Sequence, residues 1–182
     1  SSNDVDERYR KAAEDMGTAL GRKGIRLIYG GGRVGLMGIT ADATLAAGGE
    51  VVGIIPEHIQ SLEIQHTGLT ELHVVEDMHT RKNMMAERSD GFVVLPGGLG
   101  TLDETFEILT WKQLRLHDKP VIIADIDGYW QSMMTMIDHI IDSGFAKPAH
   151  RDLYTVVDTI DQVIPALYAA PQPVIDPKLK WT

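Results

Sequence analysis

Ile25-Arg26-Leu27-Ile28-Tyr29 runs directly into Gly30-Gly31-Gly32, and Gly35 to Ala47 follows as a helical segment closed by Gly48-Gly49. A short apolar run, a glycine turn and a helix make the repeating unit of a parallel sheet. The unit recurs at Phe92 to Leu95, where Pro96-Gly97-Gly98-Leu99-Gly100 leads into a predicted helix over Thr101 to Leu116. Between the two lie a strand at Val51 to Ile55 stopped by Pro56, a looser segment from Glu57 to Thr70, and a strand at Leu72 to Glu76. A helix is expected from Asp77 to Arg88, with Asp77 as its N-cap. Downstream follow a strand at Val121 to Ala124, a helix at Tyr129 to Ile141, a strand at Leu153 to Val157 and a last helix from Thr159 to Tyr168, bent by Pro165. Upstream, Tyr9, Ala12, Met16, Ala19 and Leu20 recur at helical spacing within Asp6 to Lys23, and Gly24 ends that helix.

Strands that are apolar throughout, rather than at every second residue, are covered on both faces. The expected fold is therefore a doubly wound, Rossmann-like α/β layer with six strands visible. Residues 1–170 are expected to form one domain. Pro171, Pro173 and Pro177 argue for an extended tail over 171–182. A βαβ series starts with a strand, so the helix-first order implies a further strand ahead of Ser1.

The chain has 182 residues, a length at which one domain buries roughly 70% of its unfolded surface. Its formal charge of −9 argues against a nucleic-acid partner, which calls for a basic face. No apolar stretch is long enough to span a bilayer, and Ser1 to Lys11 shows no secretory pattern. The 182 residues include no cysteine, so among them there are no thiolate metal sites and no cysteine nucleophiles. The seven histidines show no ligand spacing, so no metal is expected. A cytoplasmic location is the expectation.

All strands of a parallel sheet end on one side, and ligands bind beyond those carboxyl ends. Gly30 to Gly32, Glu63, Met78 to Lys82, Pro96 to Glu104, Asp125 and Asp127 all fall after strands. Glycines at Gly97, Gly98 and Gly100 let backbone approach a ligand, and the helix behind them offers unpaired amides and a partial positive charge. That is an anion site, to which Thr101 adds a hydroxyl. Gly30-x-Gly32-x-x-Gly35 spells the dinucleotide fingerprint, but no acidic residue closes the next strand, as that site requires. Two readings of Glu104 stand side by side. Thr101-Leu102-Asp103-Glu104 has the form of a capping box, and this tetrad alone favours that structural role; the functional reading makes Glu104 a carboxylate beside a bound phosphate ester. Arg81 is either a surface ion pair with Glu87 or Asp77, or a guanidinium that serves the site. Met133, Met134, Met136, Ile137, Ile140 and Ile141 read as packing surface.

Tyr29-Gly30-Gly31-Gly32-Arg33-Val34-Gly35-Leu36-Met37-Gly38, Met78-His79-Thr80-Arg81-Lys82 and Pro96-Gly97-Gly98-Leu99-Gly100-Thr101-Leu102-Asp103-Glu104 resemble the Lonely Guy (LOG) family. Its members are cytokinin riboside 5′-monophosphate phosphoribohydrolases, many of them mislabelled as lysine decarboxylases. The resemblance runs from the first helix to about Tyr168. It implies Arg81 and Glu104 as the catalytic pair and Gly98, Leu99, Gly100 and Thr101 as the phosphate cradle. Glu63, Lys82 and Thr110 match further substrate-contact positions, Gly31, Gly32 and Met78 are expected to line the pocket, and Asp103 stands where many members have Glu. Asp125 stands where many have Asn. Ser1-Ser2 match the end of a Cys-Gly-Ser-Ser strand loop.

The implied reaction is hydrolysis of the N-glycosidic bond of an (N6-substituted) adenosine 5′-monophosphate, giving free base and ribose 5-phosphate. Glu104 would stabilise an oxocarbenium-like C1′ and orient water, while Arg81 would position Glu104 and substrate. The resemblance implies no metal or organic cofactor, and a homodimer with the active site near its interface. The alternative is a carrier of a nucleotide or the molybdenum cofactor on the same fold, without turnover. Lysine decarboxylation would need a Schiff-base lysine for pyridoxal phosphate, and Lys82 beside Arg81 is a poor one.

Overall fold

The computed structural model describes residues 4–60 and 65–170, which fall into two compact units divided between Ser89 and Asp90. The sequence-based expectation of alternating helices and parallel strands is met, with six strands among the described residues. The expected tail over 171–182, and Glu63, lie outside the described residues.

The first unit begins with α1 (Glu7–Arg22), whose N-cap Asp6 accepts the Arg8 amide. Its buried stripe is Ala12, Ala13, Met16, Gly17, Leu20 and Gly21. The small residues matter for packing. A Cβ on Gly17 would run into the Thr40 carbonyl of α2 (Leu36–Ala46), so the two helices lie backbone against backbone. Within α2, the buried Thr44 hydroxyl donates to the Thr40 carbonyl at 2.8 Å, so the close contact leaves no orphaned hydroxyl.

The sheet of this unit runs β1 (Leu27–Tyr29), β2 (Val51–Pro56), β3 (Glu71–Val75), all parallel and in the order β1-β2-β3. All six residues of β2 are buried, which is why it reads as a continuous apolar run. Val51 packs with Tyr29, Ala41 and Leu45 on the α2 side. Its neighbour Val52 packs with Ile54, Met84 and Met85 on the side of α4 (Met78–Arg88). Adjacent side chains thus serve opposite layers, as the pleat demands. Pro56 is the last residue of β2, opposite Val75, rather than the residue that stops it. A short helix, α3 (Glu57–Gln60), opens the segment expected to be loose.

The second unit holds β4 (Phe92–Val94), β5 (Val121–Ala124) and β6 (Thr155–Val157), again parallel, in the order β4-β5-β6. Val121 and Ile123 face a core of Val94, Leu109, Trp130, Met133, Ile137 and Ile141, supplied by α5 (Leu99–Gln113) and α6 (Gln131–Asp142). Met133, Ile137 and Ile141 recur at intervals of four and face inward, whereas Met136 is exposed. Met134 packs against the same core from a half-buried position. The final helix, α7 (Ile160–Ala169), continues through Pro165 and lies against β5 and β6. β6 starts at Thr155 rather than Leu153, because Pro148–Leu153 winds as a 3₁₀ turn that buries Leu153.

Candidate functional site

In the first unit the glycine turn closes on itself. Gly30, Gly31 and Gly32 are all buried. A Cβ on Gly30 would overlap Nη2 of Arg81, so the missing side chain is the space the guanidinium occupies. Gly31 has φ +79°, a conformation glycine adopts without strain. The segment after α3 docks on this turn: Gln65 bridges Gly32, and the His66 amide donates to the Gly31 carbonyl at 3.2 Å.

His66 fastens that segment. Its Nδ1 accepts the Gly68 amide at 3.1 Å, which leaves the ring proton on Nε2, 2.9 Å from the Asp42 carboxylate of α2. His79, beside Arg81 in sequence, is exposed; the buried histidine is His66. Nothing in its sequence neighbourhood marks it, because its partner stands 24 residues away.

Arg81 is placed by α4. Asp77 caps that helix as expected, accepting the Thr80 amide at 2.8 Å, and this bond holds the Asp77 carboxyl below its usual range. One turn on, Arg81 is 9% exposed; its Nε donates to the Ile54 carbonyl within β2 (3.2 Å) and its Nη1 to the Met78 sulfur (3.2 Å). The surface ion-pair reading therefore does not describe it. A guanidinium cannot shed its charge, so this unit carries a permanent cation beneath its glycine turn. Met78 and Lys82 are half-buried on the same helix.

The second unit presents the other glycine turn quite differently. α5 begins at Leu99 with Gly98 as N-cap, two residues ahead of the predicted start. Thr101 is therefore the third helical residue and not the cap, so the capping-box reading of Thr101 and Glu104 fails. The first intrahelical bond is Leu102 N–H to the Gly98 carbonyl at 3.1 Å. By helical geometry the amides of Leu99, Gly100 and Thr101 have no intrahelical acceptor and point out of the helix end. Ideal Cβ atoms on Gly98 and Gly100 would meet nothing within 4 Å, and Leu99 is 85% exposed. The turn is open.

Glu104 is half-buried, one turn down from Gly100 and Thr101 at spacings of four and three. Helical side chains leave the backbone leaning towards the N-terminus, so the Glu104 Cβ lies over the turn that carries the open amides. Asp103 and Thr110 are exposed on this helix. Thr101 also braces the turn: a Cβ on Gly97 would overlap its hydroxyl oxygen, and its carbonyl accepts the Thr105 hydroxyl at 2.6 Å.

Asp125, expected to lie at the ligand rim, does other work. It is 3% exposed, and its carboxylate accepts the Trp130 amide at 2.6 Å and the Gln131 side-chain amide at 2.5 Å. Both oxygens are spent on anchoring the start of α6. Among the described residues no group of three or more acidic, histidine or cysteine side chains could hold a metal ion. Nor is any described helix long and apolar enough to cross a membrane.

A family model described as possible lysine decarboxylase matches residues 37–167. The chain is 48% identical to a cytokinin riboside 5′-monophosphate phosphoribohydrolase of Rhodococcoides fascians, with 88% of this chain and 81% of that protein covered. It is 40% identical to cytokinin riboside 5′-monophosphate phosphoribohydrolase LOG3 of Arabidopsis thaliana, over 100% of this chain and 85% of that one. Among solved structures, the molybdenum cofactor binding protein of Rippkaea orientalis superposes with a TM-score of 0.70 at 20% identity, covering 93% of this chain and 91% of that chain. The molybdenum cofactor carrier protein of Chlamydomonas reinhardtii gives 0.68 at 22%, covering 92% and 90%. At that identity the likeness is one of fold.

Proposed function

The chain belongs to the Lonely Guy family, and on that premise we propose that it hydrolyses the N-glycosidic bond of a cytokinin riboside 5′-monophosphate. The products are the free adenine-type base and ribose 5-phosphate. Arg81 and Glu104 are its catalytic residues, Gly98 to Thr101 receive the phosphate, and Gly31, Gly32, Glu63, Met78, Lys82, Asp103 and Thr110 belong to the substrate site. The protein acts as a homodimer, which light scattering on the purified chain checks directly.

The observation that carries this reading is the register of α5. Because the helix starts at Leu99, Glu104 is relieved of capping and set one turn, about 5.4 Å, below the open amides. A ribose gripped there by its 5′-phosphate spans a similar length, which brings C1′ to the carboxylate. The glycosidic bond then breaks with its electron pair leaving on the base. Glu104 stabilises the positive charge that develops at C1′ and orients the water that adds to it. The water's proton balances the negative charge on the departing base nitrogen. Arg81 orients the substrate, and the remote phosphate contributes binding energy that holds the ribose in place. A carrier gains nothing from a carboxylate so near a bound phosphate.

Glu104→Gln tests the reading. Release of base from isopentenyladenosine monophosphate and from AMP is expected to fall about 10²–10⁴-fold, the scale of a lost acid–base group. The melting temperature should stay within a few degrees, since no cap is lost. A folded variant with undiminished release would remove Glu104 from the chemistry.

A further inference from the structure

Tyr129 lies 32 residues from the open glycine turn, yet its hydroxyl donates to the Gly97 carbonyl at 2.6 Å. We infer that Tyr129 is a positioning residue for phosphate recognition: it locks the Gly97–Gly98 peptide so that an N–H, and not a carbonyl, faces the anion. This rests on the reading of Gly98 to Thr101 as the phosphate cradle.

The carbonyl and amide of a trans peptide point in opposite directions. Fixing the Gly97 carbonyl on the Tyr129 hydroxyl therefore fixes the Gly98 N–H on the other side of that peptide. Two consecutive glycines are the link most able to rotate the peptide between them, because neither carries a Cβ to resist it. A flipped peptide would set a carbonyl dipole against a dianionic phosphate, turning an attraction into a repulsion. Thr101 closes against Gly97 Cα and constrains that residue's position.

The tyrosine is itself built in. β5 ends at Ala124, and Asp125 pins the Trp130 amide and the Gln131 side chain. Between them Asp127 (φ +52°) and Gly128 (φ +73°) are both left-handed, which reverses the chain. The Tyr129 ring then stands edge-on to the buried Trp130, with centroids 4.8 Å apart at 86°. Ring and backbone are thus held from the core, while the ring's polar tip reaches the turn.

Tyr129→Phe removes one oxygen and keeps the ring. Ribose 5-phosphate, inorganic phosphate and adenosine are titrated calorimetrically into the full chain, wild type and variant, beside a base-release assay. The expected result is about tenfold weaker binding of ribose 5-phosphate and of phosphate, unchanged binding of adenosine, and a KM for AMP raised more than kcat is lowered. A melting temperature within a few degrees of wild type should accompany it. Equal phosphate affinity in the two proteins overturns the inference, as does an equal loss for adenosine, which would mark a general structural role. A wild type that binds none of the anions overturns it too. Failure of the enzymatic reading is distinct: wild-type protein would bind ribose 5-phosphate, lose it in Tyr129→Phe, and release no base.

Discussion

The two glycine turns follow β1 and β4 in equivalent positions of their units, and they use glycine for opposite reasons. At Gly30 and Gly31 the directions of the missing side chains meet protein: the Arg81 guanidinium fills the space beside Gly30, and Gly31 packs close to Ile55 and Leu72. At Gly98 and Gly100 the missing side chains leave the space empty. The first turn sits above a buried cation; the second ends in helix amides of partial positive charge. A glycine cluster is therefore not by itself a ligand site. What fills the space beyond the absent Cβ distinguishes a packing glycine from a binding one.

The difference can be broken by adding a methyl to each turn. Gly30→Ala should have the larger effect, because the new carbon displaces Arg81. A loss of about 10²-fold in kcat is expected, the scale of an ångström's misplacement of a working group. Stability should fall less, since the far end of a long side chain can move. Unchanged kcat in this variant would show that the packed turn holds nothing the reaction needs.

Gly100→Ala should do the converse. Its φ is not left-handed and its Cβ direction is empty, so the helix should be unharmed or stabilised by up to roughly 0.5–1 kcal/mol. Its KM for AMP should rise about tenfold while kcat changes little, as measured by steady-state base release. A melting temperature that falls sharply in Gly100→Ala would erase the contrast between the turns.

The smallest effect concerns acid. His117, just beyond the C-terminal end of the helix that carries the open turn, is pushed below its ordinary pKa, first by burial and then by Lys112 and Lys119. Its Nδ1 accepts the Lys119 amide and its Nε2 donates to the Ile108 carbonyl, an arrangement only the neutral ring can make. The stability it contributes is complete above the unfolded histidine value of about 6.5 and is lost as pH falls through the lower folded value. His117→Gln should therefore show a smaller drop in melting temperature between pH 7 and pH 5 than wild type does. An identical drop in both would place the acid sensitivity elsewhere.

Much of this was legible in the chain. β5 is where the run Val121 to Ala124 places it, and the Asp77 cap is found as read. Helix ends were less legible at α5: Thr101 looks like a cap on local grounds, but Gly98 takes that place, so Glu104 is not part of a capping box there. The Asp125 anchor, the His66 link to Asp42 and the Tyr129 contact with Gly97 span 5 to 32 residues, and single-sequence patterns record none of them.

Periodicity and glycine placement are local properties, and they were enough to give alternating parallel α/β units, the two turns, and Arg81 and Glu104 as residues worth weighing. Which glycines are packed and which are open, which carboxylate is spent on an anchor, and which peptide is locked by a distant hydroxyl depend on atoms brought together by folding. Those facts belong to the tertiary structure, because a hydrogen bond or an overlap is set by distance in space and leaves no trace in the order of the residues.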